Sequence, residues 1–375
     1  MRVVMLLAKS TGGIGTHVDD LTSELRGLGH EVLIATDALT ASTFGWEQAR
    51  LLWPEGASRV RHSVAALRGL ARGADVVHAH GHQAGVLASL ALRALGRRDR
   101  PALVVSLHNA VLGGPRRQTL GAISAAPFTR TAQLVTGASS DLAERAGTWG
   151  APWTELAPVP SPRVPGLLGR PVLPRAERQA LAHSLLEEAG VPNGRAADIV
   201  LTIARIAPQK DLGTFVAASA QDRAEAADHR VWIVVGGGDP DLAERLRAEA
   251  QHRAAPVHLV GAQGDPAPWL QAASVFVLTS HWEARALVVQ EAMAAGTPVV
   301  ARDTGGLRDL VAGVGTLVAG SDPRDWATAV AAAVDDEAAW HTASAAGRRR
   351  AASWDDSSQT ATRWVAWYAQ ARAMT

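Results

Sequence analysis

Short apolar runs alternate with amphipathic segments along the chain, and this alternation predicts the fold. RVVMLLA, EVLIAT, ADVVHAH, ALVVSLH and AQLVTGAS have the length and residue types of buried strands, with helical patterns between them. A stretch dense in proline and glycine, residues 157–175, interrupts this series. A second series follows with DIVLTIA, RVWIVVGGG, VHLVGA, SVFVLTS and TPVVAR. We therefore predict two Rossmann-like α/β domains with parallel sheets, joined by a proline-rich linker.

The two predicted sheets also predict where a ligand binds. Open α/β sheets bind ligands at the carboxyl ends of their strands, so two sheets facing each other would form a cleft. The last segment, DSSQTATRWVAWYAQARA, has the pattern of an amphipathic helix with Trp364, Trp367 and Tyr368 at helical spacing. Core packing explains these aromatic residues better than a ligand platform does.

Composition narrows the function classes. The net charge is +1, so no strong global field favours nucleic acid, and the absence of cysteine excludes disulfides and thiol chemistry. We find no apolar run with the length of a signal peptide or a membrane span, so a cytoplasmic location is expected. Arg93, Arg97, Arg98 and Arg100 cluster at one predicted helix end. This cluster is either a solvated helix end or a weak peripheral contact with anionic lipid at the inner face of the membrane.

Lysine is rare in this chain. Lys and Arg together number 37, and only Lys9 and Lys210 are lysines. Arginine is thus the default basic residue, and a retained lysine marks a position that favours a compact ammonium over a planar guanidinium.

Two glycine-rich turns follow predicted strands. Gly12, Gly13 and Gly15 precede a helix, where backbone amides can face an anion, although a tight turn explains them equally well. Val18 replaces the third glycine of the dinucleotide-binding motif, and GGGDPD fails the same comparison, which argues against a nicotinamide enzyme. Asp239 in GGGDPD is predicted to be a helix N-cap rather than a metal ligand.

Two charged motifs suit a nucleotide-diphosphate ligand. Arg205 and Lys210 follow a buried strand and precede a helix, a position suited to a diphosphate, although a solvated pair has the same pattern. Glu283 and Glu291 are eight residues apart, about 12 Å along a helix axis. That length matches the span from the sugar to the ribose of a nucleotide-sugar. The alternatives are a dipole-stabilising residue for Glu283 and an ion pair with an arginine for Glu291.

Histidines end two of the predicted strands. His78, His80 and His82 alternate in HAHGH and could gather on a metal, but no carboxylate cluster accompanies them, so a metal site is disfavoured. We expect His80 or His82 to hydrogen-bond a polar ligand instead. His108 ends a buried strand at the carboxyl edge, where it either faces the cleft or is a satisfied strand-end histidine.

Taken together, the motifs resemble one family. GGIGTHVDDLTSEL, ARIAPQKDL, VVGGG, the E-x7-E pair followed by AMAAGTPVVA, and TGGLRDLV occur in the order and spacing of the retaining glycosyltransferases of family 4. The resemblance implies the GT-B fold, with two Rossmann-like domains facing across a cleft. It assigns residues 1–165 and a returning C-terminal helix, about 356–375, to an acceptor-binding domain, and residues 166–355 to a donor-binding domain.

The resemblance also implies an activity. The expected reaction moves a sugar from a UDP- or GDP-sugar to a small-molecule, glycan or lipid-linked hydroxyl acceptor, without metal or cofactor. In this assignment Arg205 and Lys210 bind the diphosphate, Glu291 the ribose and Glu283 the hexose. The remaining donor-site positions are Gly12, Gly13, Arg285, Ala286 and Leu287, His108 lies near the reacting centre, and the acceptor-side candidates are His17, His80 and His82.

One departure from the family lies beside the first glutamate. Many relatives have a glycine-rich stretch there, whereas this chain has Ala284, Arg285 and Ala286. We expect Arg285 either to contact a charged donor or acceptor, or to point to solvent. Two rival functions stay open from the sequence: a nucleotide-sugar epimerase on the same fold, and a non-catalytic two-domain sugar-binding protein.

Overall fold

The computed structural model describes residues 1–10, 12–53, 59–110, 115–192, 198–226 and 230–375. The chain forms two compact units. Unit 1 comprises Met1–Pro162 together with Asp355–Thr375, and unit 2 comprises Arg163–Trp354. The chain therefore leaves unit 1 inside the proline-rich stretch and re-enters it for the final helix.

Unit 1 contains a parallel sheet of seven strands in the order β3-β2-β1-β4-β5-β6-β7. Its strands are β1 (Arg2–Leu7), β2 (Glu31–Thr36), β3 (Arg50–Leu51), β4 (Val76–His80), β5 (Ala102–Leu107), β6 (Leu134–Gly137) and β7 (Thr154–Leu156). Its helices are α1 (Gly13–Gly27), α2 (Ala38–Thr43), α3 (Val60–Ala71), α4 (His82–Arg93), α5 (Pro115–Thr129), α6 (Ser140–Thr148) and α16 (Ser357–Ala373).

Helix α16 belongs to the core of unit 1. It begins with a capping box in which Asp356 and Gln359 exchange side-chain and backbone hydrogen bonds. Trp364 and Tyr368 are buried in one cluster with apolar residues of β1 and α1, and Trp367 packs against that cluster. The core role predicted for these aromatic residues is confirmed.

Unit 2 contains a parallel sheet of six strands in the order β10-β9-β8-β11-β12-β13. Its strands are β8 (Asp198–Ile203), β9 (Arg230–Val235), β10 (Val257–Gly261), β11 (Ala273–Leu278), β12 (Val299–Arg302) and β13 (Thr316–Val318). Its helices are α7 (Val164–Leu168), α8 (Arg175–Glu188), α9 (Leu212–Ala226), α10 (Pro240–His252), α11 (Ala267–Ala272), α12 (Leu287–Ala295), α13 (Leu307–Val311), α14 (Pro323–Val334) and α15 (Glu337–Ala352).

Each sheet reverses its strand order at one point. In unit 1 the order turns between β1 and β4, and in unit 2 between β8 and β11. Loops leaving two such strands diverge to opposite faces of the sheet and leave a crevice at the carboxyl edge. These two switch points are therefore where ligand-binding residues are expected to collect.

Three local features differ from the sequence-based expectation or explain it. Helix α1 begins at Gly13, so the predicted glycine loop supplies the first helical turn. The predicted linker contains α7, whose Val164 and Leu167 are buried in the core of unit 2. Asp239 caps α10 by accepting from two backbone amides, as predicted.

Among the described residues, no helix combines the length and the apolar run needed to cross a bilayer.

Candidate active site

The switch point of unit 2 brings the basic motif and the first glutamate together. Lys210 ends a 3-10 turn, Pro208–Lys210, that follows β8, and Glu283 lies in the loop that follows β11. Lys210 Nζ donates to Glu283 Oε1 at 2.5 Å. Gln209 Nε2 donates to the Trp282 carbonyl at 2.8 Å, so the two segments are joined at more than one point. Arg205, in the same β8 loop, is exposed.

The backbone beside Lys210 is held in an unusual conformation. Asp211 has φ 47° and ψ 47°, in the left-handed region that residues other than glycine rarely adopt. Its carboxylate accepts from Arg302 Nη2 at 2.5 Å and from Thr214 Oγ1 at 2.8 Å. The buried Arg302 also donates to the Thr279 and Gly320 carbonyls. This anchoring fixes the turn from which Lys210 projects.

Two glycines allow the β8 and β9 loops to approach closely. Gly236 and Gly238 have φ 145° and 155°, and Gly238 forms an isolated bridge with Ile206. A Cβ atom on Gly236 would lie 2.0 Å from the Ala204 carbonyl oxygen. The GGG turn thus packs closely against the backbone on either side of Arg205.

Helix α12 carries two further residues of the predicted donor site, Leu287 and Glu291. It begins at Leu287, and its N-cap Ala286 makes no side-chain cap hydrogen bond, so the first amides can face an anion. Glu291 lies in its second turn and is only 2% exposed. Arg163 Nη1 is 3.7 Å from Glu291 Oε1, so the ion pair foreseen as an alternative for Glu291 is present.

Arg285, the departure from the family pattern, does not point to solvent. Its guanidinium carbon lies 4.9 Å from the ring centroid of Trp354, and its Nε is buried. Burial lowers the pKa of Arg285 to about 10, with Asp309 opposing the shift and Arg350 adding to it. The side chain is thus engaged inside unit 2, and the solvent alternative is wrong.

The switch point of unit 1 forms a pocket of about 680 Å³. Its wall comprises the end of β1, the first turn of α4, the end of β4 and one face of α5. The lining residues are Ala8, Lys9, Ser10, Ile14, His80, Gly81, His82, Gln83, Ala84, Asn109, Ala110, Leu120, Gly121 and Ser124. Gly12, the N-cap of α1, has φ −137° and open space at its Cβ position, so neither backbone nor packing requires glycine there.

The three histidines of HAHGH have different hydrogen-bond partners, although the rings of His78 and His80 are neighbours with centroids 4.0 Å apart. His78 Nδ1 and Nε2 lie 2.7 Å from Tyr368 Oη and Ser106 Oγ, respectively, inside the core. His82 begins α4, and its Nε2 lies 2.7 Å from Ser124 Oγ. The ring of His80 also contacts two histidines outside the motif, His17 and His108.

His80 forms a buried cluster with His17 and His108. His80 Nδ1 lies 3.1 Å from His108 Nε2, and one ligand atom from each of the three rings lies within 4.8 Å of the others. Three imidazoles at such spacing are the kind of set that holds Zn²⁺. Burial lowers the pKa of His17 to about 4 and that of His108 to about 3, so both are neutral near pH 7.

The sequence did not single out this cluster. His17 faces the core from α1, while His80 ends β4 and His108 follows the neighbouring strand β5. The one available signal was that parallel neighbours end at the same sheet edge, which would have paired His80 with His108. That His17 lies on the buried face of α1 becomes clear only when the helix is seen packed in unit 1.

Two family models match successive parts of the chain. The glycosyl transferase 4-like domain matches residues 12–162, and the model of glycosyl transferases group 1 matches residues 197–336. A D-inositol 3-phosphate glycosyltransferase of Kineococcus radiotolerans is 30% identical over 384 residues, covering 87% of this chain and 83% of that protein.

Other curated relatives align over a shorter part. D-inositol 3-phosphate glycosyltransferase 2 of Catenulispora acidiphila is 39% identical over 165 residues, which are 40% of this chain and 37% of the relative. The alignments with three further relatives span between 33% and 36% of those proteins' length.

Solved structures confirm the predicted GT-B fold class. The Anabaena protein HepE in complex with UDP superimposes with a TM-score of 0.81 at 20% identity, covering 99% of this chain and 100% of that chain. Sucrose-phosphate synthase of Thermosynechococcus elongatus gives a TM-score of 0.78 at 22% identity, with both chains covered completely (100%). The alignment with the Kineococcus radiotolerans relative covers most of both proteins at 30% identity, and the chain belongs to the group 1 glycosyl transferases.

Proposed function

We propose that this protein transfers a sugar, with retention of anomeric configuration, from a nucleotide-diphosphate sugar to a hydroxyl group of an acceptor. The observation that carries the proposal is the 2.5 Å contact between Lys210 Nζ and Glu283 Oε1 at the switch point of unit 2. A cation for a diphosphate and an acceptor for sugar hydroxyls are thereby held side by side, on the crevice where α/β sheets bind nucleotides.

Similar proteins suggest the substrates to try first. HepE was solved with UDP and with UDP-glucose, which supports a nucleotide-sugar donor for this chain. Several relatives are named for D-inositol 3-phosphate, which makes that compound the first acceptor to test. GDP-sugars and lipid-linked or glycan acceptors remain to be compared with them.

The proposed chemistry uses residues of this chain and no metal. Breaking the anomeric bond moves an electron pair onto the diphosphate, where Arg205, Lys210 and the first amides of α12 would stabilise the charge. The sugar passes through an oxocarbenium-like state, with Glu283 holding its hydroxyls and Glu291 the ribose. The acceptor oxygen then bonds to the anomeric carbon on the face that the diphosphate leaves, and its proton passes to the leaving diphosphate. Neutral His108 would offer a hydrogen bond near the reacting centre rather than a charge.

The substitution Lys210→Ala tests this proposal. We expect the transfer rate with UDP-glucose to fall at least about 100-fold and the affinity for UDP to weaken, because the leaving diphosphate loses a preorganised cation. Arg247→Ala is the matched control, since Arg247 is an exposed cation of unit 2 that pairs with the exposed Glu244. Wild-type rates and UDP affinity in Lys210→Ala would show that the diphosphate assignment is wrong.

Two further measurements separate the rival functions. An epimerase would convert UDP-glucose to an isomeric nucleotide-sugar without acceptor, so the acceptor-free reaction should be analysed for such a product. A pure sugar-binding protein would bind free glucose as well as UDP-glucose, which calorimetric titration of both compounds measures. We expect neither result.

A further inference from the structure

We propose that unit 1 binds one divalent metal ion of the zinc class through His17, His80 and His108. The ion would tie helix α1, which carries His17, to the ends of β4 and β5, which carry or precede the other two. Its role is to stabilise unit 1, and it takes no part in the transfer reaction proposed above. Only His80 belongs to the HAHGH motif, so this ligand set differs from the one considered from the sequence.

The spacing of the three rings is the first argument. Their centroids form a nearly equilateral triangle, with sides of 5.7 Å from His17 to His80, 5.6 Å from His17 to His108 and 5.4 Å between the last two. Imidazoles that share one tetrahedral Zn²⁺, at about 2.0–2.1 Å from each nitrogen, have centroids about 5 Å apart. Small side-chain rotations would therefore bring all three rings onto one ion.

The nitrogen atoms agree with the ring positions. His80 Nδ1 lies 3.1 Å from His108 Nε2, close to the distance of about 3.3 Å between two ligands of a tetrahedral zinc ion. One nitrogen of His17 lies within 4.8 Å of a ligand atom on each of the other rings. Between two neutral imidazoles the short distance is a hydrogen bond. On metal binding, its proton would move to the other nitrogen of the same ring.

Burial and unused polar atoms are the second argument. The rings are inaccessible, with exposed fractions of 3% for His17, 2% for His80 and 7% for His108. His17 Nδ1 and His80 Nε2 have no hydrogen-bond partner in the described part of the chain. Buried polar atoms are normally satisfied, so two unused ring nitrogens in one cluster indicate a partner that the polypeptide does not supply.

The chemistry of the ligand set selects the ion. Neutral imidazole suits Zn²⁺ and neighbouring transition metals, whereas Mg²⁺ and Ca²⁺ need oxygen ligands. Within the described part of the chain, the set includes no carboxylate, so a water molecule would complete four-coordination. His80 also lines the pocket at the switch point of unit 1, which gives the ion and this water a path from solvent.

Zinc binding by the intact protein is the direct test. The protein is treated with EDTA, freed of the chelator and titrated calorimetrically with Zn²⁺, and we expect one saturable site per chain. X-ray absorption spectroscopy of the zinc-loaded protein should find three imidazole ligands at about 2.0–2.1 Å. Absence of binding would overturn the proposal. So would a bound ion with fewer imidazoles, or with carboxylates in their place, because that ion would occupy a different site.

A ligand variant with a matched control assigns the site. His17→Asn should weaken Zn²⁺ binding at least about 100-fold, because losing even an outer-shell partner of a metal ligand costs about 10- to 100-fold. His62→Asn removes an exposed histidine of α3 in the same unit and should bind Zn²⁺ as wild type does. Equal affinities of the two variants for Zn²⁺ would contradict the assignment.

Thermal stability separates loss of the ion from a folding defect. Zn²⁺ should raise the melting temperature of wild type and of His62→Asn but not that of His17→Asn, because a ligand of the native state stabilises it. The melting curve in EDTA shows whether His17→Asn is folded, and His108→Asn takes its place if it is not. If neither variant folds, the ligand count in the wild-type spectrum decides. Equal stabilisation of wild type and a folded ligand variant would rule out the cluster.

Discussion

At the scale of single residues, Arg285 shows what the structure adds to the sequence. The position follows Glu283 closely and was assigned to the donor site, and the structure places its guanidinium over the Trp354 ring of unit 2. A half-buried arginine near an aromatic face gains cation–π attraction and packing of its aliphatic stem. The residue type was visible in the sequence, but its direction depended on Trp354, which is 69 positions away in the chain.

This contact predicts the effect of restoring the family-like glycine. Arg285→Gly should lower the free energy of unfolding by about 2 kcal/mol, because stacking and stem packing are lost. The affinity for UDP should change much less. Urea denaturation and calorimetric titration measure the two effects. Arg285→Lys keeps the charge but not the planar stack, so we expect an intermediate loss of stability. A large loss of UDP affinity with unchanged stability would instead support the donor-site assignment.

The cluster of His17, His80 and His108 carries a second prediction at this scale. The proposed reaction stabilises the leaving diphosphate with Arg205, Lys210 and helix amides, so it needs no divalent ion. Transfer measured after treatment with EDTA should therefore equal that of untreated protein. A rate lost on chelation and restored by Zn²⁺ or Mg²⁺ would show that the mechanism is incomplete, and the loss of that restoration in His17→Asn would identify the histidine cluster as the site.

At the scale of elements, most strands and helices followed from the alternation of apolar runs and amphipathic segments. The strands that the pattern named are present, and the C-terminal helix α16 begins within one residue of the predicted segment. The proline-rich stretch hid α7, because five residues are too few to show a helical period. Helix α8 also went unassigned, and its buried residues are few and include Arg178, so its apolar pattern is weak.

The 3-10 turn at Lys210 gives a prediction about the ion pair of Arg302 with Asp211, which helps to anchor it. Arg302→Met leaves the carboxylate of Asp211 without its closest cation, and we expect the free energy of unfolding to fall by about 3 kcal/mol. UDP affinity should fall as well, since the turn that carries Lys210 loses its anchor. Arg308→Met is the control, because the exposed side chain of Arg308 also pairs with an aspartate, Asp303. Exposed ion pairs of this kind contribute little to the free energy of unfolding. Similar values for both variants would contradict the anchoring role.

At the scale of the whole molecule, buried neutral histidines make unit 1 sensitive to acid. The pKa of His17 is lowered to about 4 and that of His108 to about 3, and the pKa values of His78 and His80 are also lowered, in each case mainly by burial. The unfolded chain binds protons at these groups below about pH 6.5, whereas the folded chain does not. Stability is therefore full above about pH 6.5 and is lost as the pH falls towards 4.

This pH dependence can be measured and assigned. Urea denaturation should show a lower free energy of unfolding at pH 5 than at pH 7.5. Hydrogen exchange of the β1 and β4 amides reports this change for unit 1. Each such histidine contributes a loss of about 1.4 kcal/mol per pH unit, over the pH range in which it is protonated in the unfolded chain and neutral in the folded chain. His17→Asn should flatten this slope, and His62→Asn, at an exposed position of the same unit, should not. An unchanged slope in His17→Asn would argue against a neutral buried His17.

The sequence by itself determined the class of the fold and the residue types of the proposed donor site. The period of apolar residues defines strands and helices locally. Glu283, Arg205 and Lys210 lie at strand ends or helix starts that the pattern already marks, and Glu291 lies within a helix that it marks. Only the tertiary structure decided which of these groups meet. Lys210 reaches Glu283 because β8 and β11 are neighbours, His17 joins His80 because α1 packs on the sheet, and Arg285 turns to Trp354. Such contacts join residues far apart in the chain, and local periodicity carries no information about them.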